Sequence, residues 1–230
     1  STVRIGHPAR VDEDILNHTL ESKIARHKDF KLLKELKKKA QEYFKLGGKW
    51  KRNFGNSERE QRKMILQEAR SLKKDADRIH NDILDDVLFS TRAITATLVG
   101  ANHPKLKTFK FTTCFIDEAG QALEPASWIP IIKSDKVIFA GDHLQLPPTV
   151  KSFKAGEEGL KETLFEKAIR GNKGGVLLNE QYRMNEKIMA FSSKQFYKGV
   201  LKANQNNAHH KIFPKDRVVE YVDTSGTGFF

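Results

Sequence analysis

The sequence predicts an α/β fold: a parallel sheet interrupted by a long, basic pair of helices. Three observations carry that expectation. Short apolar runs end in glycine or acidic clusters: Ala93–Val99 stops at Gly100, Phe111–Ile116 at Asp117-Glu118, and Lys136–Ala140 at Gly141-Asp142. Such runs are the expected buried strands of a parallel sheet, with functional groups at their carboxyl ends. From residue 12 to 90, apolar residues instead recur at steps of three and four, the spacing of one helical face. The charge is also local: residues 23–74 hold 18 Lys+Arg and 6 Asp+Glu, whereas the rest of the chain holds 23 of each sign.

Taken in order, the first helix is expected to open at Asp12-Glu13-Asp14, acids suited to a helix N-terminus. Leu16, Leu20, Ile24, Leu33, Leu36, Ala40 and Tyr43 place its apolar stripe, and Gly47-Gly48 ends it. Lys49-Trp50-Lys51-Arg52-Asn53-Phe54-Gly55-Asn56 reads as the turn. Ser57 and Glu60 have the spacing of a capping box for the second helix. Along that helix Ile65, Ala69, Leu72, Ala76, Ile79 and Ile83 form a coiled-coil-like seam. Each arm is expected to run ~45–50 Å. Beyond the three strands come a helix around 160–170, a strand at Val176-Leu177-Leu178, a helix around 186–196 and a late strand at 218–222.

Composition narrows the function classes. The 230 residues carry a net charge of +12 with 38% hydrophobic residues, enough for a core and without a long apolar run that could span a membrane. One cysteine, Cys114, excludes a disulfide scaffold or a cysteine-rich zinc site and suits a reducing compartment. No secretory layout opens the sequence. A localised positive field points to a polyanion, nucleic acid or an anionic membrane surface.

Candidate chemistry lies at the ends of the strands. Asp117 and Glu118 are adjacent acids that can divide labour, one holding Mg²⁺ and the other orienting or deprotonating water. A lone Asp-Glu is more often a chain surfacing from a sheet. Gly141-Asp142-His143-Leu144-Gln145-Leu146-Pro147-Pro148 combines a free backbone at a strand exit with a stiff far side. It presents Asp142 and Gln145 on a rigid loop, and Gln145 suits sensing a phosphate oxygen or positioning water; the plain alternative is a turn ended by proline. Gln181-Tyr182-Arg183-Met184 offers an arginine able to stabilise charge on a transferred phosphoryl group, or a surface ion pair.

In this order and spacing, Asp-Glu-Ala-Gly-Gln, Gly-Asp-His-Leu-Gln-Leu-Pro-Pro and Gln-Tyr-Arg-Met resemble motifs II, III and IV of superfamily 1 helicases. The resemblance is to the 5′→3′ branch of the nonsense-mediated-decay helicase, senataxin and the immunoglobulin-mu-binding helicase. Residues 4–10, 96–101, 124–130 and 221–224 are similar to further segments of that branch. The resemblance implies RecA-like (P-loop NTPase) domains with ATP and Mg²⁺ between them and single-stranded DNA or RNA across the top. It implies that Asp117 holds Mg²⁺, Glu118 is the catalytic base, Gln145 couples γ-phosphate to nucleic acid, and Arg183 reaches the γ-phosphate. Gly141, Asp142, Gln181 and Tyr182 join them in the ATP site, and Thr97 and Gly100 lie near the nucleic-acid backbone.

On that basis residues 1–11 and 91–175 are expected to form part of a first RecA-like domain. Residues 12–90 form a basic helical hairpin insertion, and 176–230 open a second domain. No Gly-x-x-x-x-Gly-Lys-Ser/Thr loop occurs in the chain, so the expectation is an interior piece of a longer helicase, inactive alone. Trp50 among Lys49, Lys51 and Arg52 is a candidate contact to nucleic acid, or a cap on the hairpin's own core. The protein is expected to work as a monomer, away from membranes, in the cytoplasm or nucleus. An open sheet edge in the incomplete second domain favours self-association of the piece. The competing function is a non-catalytic nucleic-acid- or partner-binding module on the same scaffold, which has no need of Asp117, Glu118, Gln145 and Arg183 together.

Overall fold

A computed structural model describes residues 1–6, 12–48, 55–171, 175–215, 217–226 and 228. The chain divides into two compact units, one of residues 1–116 and 125–138, the other of residues 117–124 and 139–230.

In the first unit, β1 (Thr2–Ile5) pairs in parallel with β2 (Ala93–Ala96), Thr2 opposite Ala93 and Ile5 opposite Ala96. Alternation along β1 turns Val3 and Ile5 inward, where they join Leu20, Leu33, Ile83 and Leu88 in the main core. Between these strands lie α1 (Glu13–Leu16), α2 (Leu20–Ala25), α3 (Phe30–Gly48) and α4 (Asn56–Phe89). The single first helix expected from the apolar stripe is therefore three. Thr19 breaks it: its hydroxyl donates to the Leu16 carbonyl at 2.8 Å and accepts from the Ser22 amide, starting α2 afresh. His27 makes the second break, accepting from the Asp29 amide and lying 3.4 Å from the Asp86 carboxylate. With 19 residues, α3 runs only ~28 Å, while the 34 residues of α4 run ~51 Å.

Helices α3 and α4 lie antiparallel, since His27, just before α3, meets Asp86 near the end of α4. The end of α3 meets its start: Arg62 Nε donates to the Gly47 carbonyl at 2.7 Å. A Cβ at Gly47 would stand 2.6 Å from Leu66 Cδ2, so glycine there permits the close approach. On α4 the seam is buried at Ala69, Ala76 and Ile83, one residue every seven. Its start differs by two residues from the Ser57–Glu60 expectation: Gly55 precedes the helix, and Glu58 accepts from the Gly55 amide at 3.2 Å.

β3 (Phe111–Ile116) pairs with β4 (Ser134–Phe139), and α5 (Glu124–Ile131) connects them. In the second unit α6 (Phe153–Ala155) and α7 (Leu164–Gly171) precede β5 (Glu180–Gln181), which pairs in parallel with β6 (Lys202–Ala203) across α8 (Glu186–Phe196); α9 (Gln205–Ala208) follows. Among the described residues the strands thus form three two-stranded sheets rather than one wide sheet. Val176–Leu178 is not a strand: Val176 is 89% and Leu178 84% exposed, so no layer packs on it, and pairing starts only at Glu180. Residues 218–222 form no strand either, with Val219, Tyr221 and Val222 all exposed.

Candidate active site

The Asp-Glu pair sits where β3 ends. Ile116 is buried at 3% exposure, and the next two side chains emerge into solvent. Asp117 Oδ1 accepts from the Glu118 amide at 3.0 Å, which turns the chain sharply. Glu118 takes the left-handed conformation, φ 50° and ψ 39°, uncommon for any residue but glycine. A short 3₁₀ turn over Ala119–Gln121 follows, closed by the Gln121 amide on the Glu118 carbonyl at 2.9 Å.

That turn is seated on the loop leaving β4. The Ala119 amide donates to the Ala140 carbonyl at 2.9 Å. Backbones approach so closely here that side chains are excluded on both sides. A Cβ on Gly120 would lie 2.4 Å from the Asp142 carbonyl oxygen, and one on Gly141 2.8 Å from the Ala119 nitrogen. Glycine in both loops is therefore what brings the Asp117–Glu118 turn and the Asp142–Gln145 loop together.

Asp142 organises its own loop. Oδ1 accepts from the Leu144 amide at 3.0 Å, and Oδ2 accepts from Gln145 Nε2 at 2.9 Å and from the Tyr197 hydroxyl. Burial pushes the Asp142 carboxyl up, but the hydrogen bonds from Tyr197, Leu144 and Gln145 outweigh it, and the net direction is down. Burial, then the bond to Asp142, pushes the Tyr197 hydroxyl up to about 12. The two directions agree, since a hydroxyl donated to a carboxylate favours the ionised acid and the protonated phenol. His143 is exposed and stands edge-on to Phe165.

Gln181, Tyr182 and Arg183 lie in the second unit, just after the start of β5. The Gln181 side chain closes this turn, accepting from the Arg183 and Met184 amides at 2.8 Å each and donating to the Met184 carbonyl at 2.7 Å. Its amide is engaged with backbone, and Tyr182 and Arg183 are left exposed. Asn185 then caps α8, accepting from the Lys187 amide and donating to the His210 carbonyl at 2.9 Å each. Among the described residues Arg183 makes no hydrogen bond with Asp117, Glu118 or Gln145.

Thr97 and Gly100 belong to the first unit. Thr97 Oγ1 accepts from the Gly100 amide at 3.0 Å and is itself exposed. Buried Lys133 braces this turn, its Nζ donating to the Ala101 carbonyl at 2.7 Å; burial, then Lys107, lowers its pKa. Lys49, Trp50, Lys51 and Arg52 lie outside the described residues.

Two features escaped the sequence reading. Thr163 and Glu166 form a reciprocal capping box opening α7, with Glu166 Oε2 accepting from the Thr163 amide at 2.7 Å and Thr163 Oγ1 from the Glu166 amide at 3.1 Å. Its Thr-x-x-Glu spacing was legible. Tyr197, by contrast, carries no local signal, because its partner lies 55 residues earlier.

Residues 1–153 match one family of AAA domains and residues 160–226 a second. Over 96% of the chain, 34% of residues are identical to a protein of Methanocaldococcus jannaschii named as an ATP-dependent helicase. Over 97%, 31% are identical to the DNA-binding protein SMUBP-2 of Mesocricetus auratus. Over 91%, 34% are identical to the DNA polymerase alpha-associated DNA helicase A of Saccharomyces cerevisiae. The chain spans 38%, 22% and 32% of the lengths of these three relatives.

Proposed function

The chain belongs to the AAA-domain family, in its superfamily 1 helicase branch, and therefore has a P-loop NTPase fold; on that premise we propose that the complete protein is an ATP-dependent helicase or translocase acting on single-stranded nucleic acid. The observation that carries the reading is the glycine-mediated seating of the Asp117–Glu118 turn on the loop of Asp142 and Gln145. It sets two exposed carboxylates at a strand's carboxyl end beside a neutral amide on a braced loop.

The donors fit Mg²⁺ with ATP. No cluster of three or more metal-binding side chains occurs among the described residues. Mg²⁺ in nucleotide sites needs no such cage, since one or two carboxylates, waters and phosphate oxygens complete its shell. Asp117 would hold the ion, which would neutralise charge on the phosphates. Glu118, held outward by its left-handed backbone, accepts the proton of the attacking water. Gln145 turns its amide toward the terminal phosphate, and exposed Arg183 stabilises the charge that develops there. Gly141, Asp142, Gln181 and Tyr182 shape the loops that present these groups. No Gly-x-x-x-x-Gly-Lys-Ser/Thr loop to cradle the phosphates occurs within these 230 residues.

Residues 1–11 and 91–175 belong to the first RecA-like domain in this reading, 176–230 to the second, and the helices within 12–90 are an insertion projecting a basic surface. Thr97 and Gly100 meet the sugar–phosphate backbone, and Lys49, Trp50, Lys51 and Arg52 extend the contact. Relatives named for DNA favour DNA over RNA as the track. No helix among the described residues is long and apolar enough to cross a membrane. The test is hydrolysis of ATP by the complete protein with and without single-stranded DNA or RNA. DNA-stimulated turnover lost in Glu118→Gln supports the reading; turnover that persists in that variant overturns the base assignment.

A further inference from the structure

Asp142 is a carboxylate on a solvent-facing loop, yet it is fully engaged. Leu144 occupies one oxygen, and Gln145 and Tyr197 share the other. Tyr197 comes from elsewhere in sequence. It follows α8, whose start is fixed by the Asn185 cap directly after the Gln181–Met184 turn. Asp142 lies within residues 1–153, matched by one AAA-domain family, and Tyr197 within residues 160–226, matched by the other. One hydroxyl thus links the helix behind Arg183 to the carboxylate that holds Gln145.

We propose that Tyr197 is a positioning residue: its hydroxyl fixes the Asp142 carboxylate, which in turn orients the Gln145 side-chain amide. The proposal rests on the helicase reading for what Gln145 does. It adds that Gln145 is aimed by α8's segment as well as by its own loop. Without the hydroxyl, Asp142 keeps the Leu144 amide on one oxygen but has only the mobile Gln145 amide on the other. The carboxylate can then rotate and take the Gln145 amide with it. A charge-assisted bond is stronger than a neutral one, so its loss reaches Gln145 through Asp142, in addition to the Tyr197 hydroxyl's own contact with the Gln145 side chain.

The experiment uses the complete protein and Tyr197→Phe, which keeps the ring. The expected result is a fall in DNA-stimulated kcat on the order of tenfold, with KM for ATP moving less than about twofold. In a Gln145→Ala background the same substitution is expected to change kcat less than about twofold, because the group being aimed is gone. A merely structural tyrosine would lower kcat by the same factor in both backgrounds, and that result overturns the proposal, as does an unchanged kcat in Tyr197→Phe alone. A second measurement needs no turnover: 3-fluorotyrosine placed at position 197 and observed by fluorine NMR. Its resonance is expected to move with Asp142→Asn and with Gln145→Ala; a resonance indifferent to both overturns the linkage. Absence of all ATP hydrolysis in the wild-type protein instead sinks the helicase reading, whatever the fluorine signal does.

Discussion

Substituting Gly120 by alanine tests whether the two loops of the site are held by backbone contact. The added methyl would stand 2.4 Å from the Asp142 carbonyl oxygen, 3.0 Å from its carbon and 3.5 Å from the His143 nitrogen. A relaxed carbon–oxygen contact is about 3.3–3.6 Å, so one loop must retreat by roughly 1 Å. The obstacle is backbone, which cannot swing aside as a side chain would. Overpacking of this kind costs about 1–3 kcal/mol. Loss of unfolded-state freedom on replacing glycine offsets about 0.4–1 kcal/mol of it. A net destabilisation of about 1–2 kcal/mol is expected, and with it a larger catalytic loss, since a 1 Å displacement of reacting groups can lower turnover by ~10²-fold. Gly171→Ala is the control, because a methyl there meets nothing within 4 Å. Urea unfolding and steady-state ATP hydrolysis of the complete protein provide the two readouts. If Gly120→Ala matches Gly171→Ala in both, the loops are not seated as described and the reasoning fails.

Four other sets of substitutions probe separate links. Glu118→Gln should lower hydrolysis by ~10²–10⁴-fold without changing stability, whereas Glu118→Gly should be equally inactive yet gain about 1 kcal/mol by relieving the left-handed backbone; a less stable glycine variant would contradict the strain. Tyr197 has a folded pKa near 12, above its ordinary value of 10, so its contribution is present below about pH 10 and lost as pH rises toward 12. Tyr197→Phe should therefore flatten the alkaline fall in stability over that interval, as urea unfolding at stepped pH will report. Asp142 has the opposite sign: its lowered pKa makes its contribution present above the ordinary carboxylate value and lost on acidification, so Asp142→Asn should flatten the acid limb. Reversing Lys37, Lys38, Lys51 and Arg52 to glutamate should weaken single-stranded DNA binding and reduce its salt slope by ~0.7 per lost phosphate contact; an unchanged slope would remove the helical surface from the interface.

Parts of this structure were legible because their causes are local. The α4 seam needs only its own seven-residue spacing, and Ala69, Ala76 and Ile83 are buried where that spacing puts them. Helix α8 follows from Asn185, whose side chain caps the first turn two residues on. The split of the first helix was legible only in part, because the local bonds of Thr19 to Leu16 and Ser22 are backed by partners from far away. Thr19 lies against Arg4 of β1, and His27 faces Asp86 near the end of α4. Strand β1 was missed for a related reason: four residues acquire meaning only beside Ala93–Ala96. The opposite error arose at Val176–Leu178, where apolar composition implied a buried strand but no layer covers it. In the candidate site, residue types announced Asp117, Glu118 and Gln145. The contact uniting their loops is visible only in the fit of Gly120 and Gly141.

The basic surface of α3 and α4 follows from the same close packing. Alanines on the α4 seam, and Gly47 beneath Leu66, leave no depth in which a lysine stem could be buried. The cations are consequently turned outward, as at exposed Lys37, Lys38 and Lys39. Solubility alone does not require such an excess, because mixed charge keeps a surface solvated without a large single-sign field. The remainder of the chain does this with 23 cations and 23 anions. A helix pair held together by an apolar seam, with 18 cations against 6 anions between residues 23 and 74, carries mutual repulsion that its fold does not need. In the proposed helicase reading, a phosphate backbone on that surface relieves the repulsion, which is what the charge-reversal experiment measures.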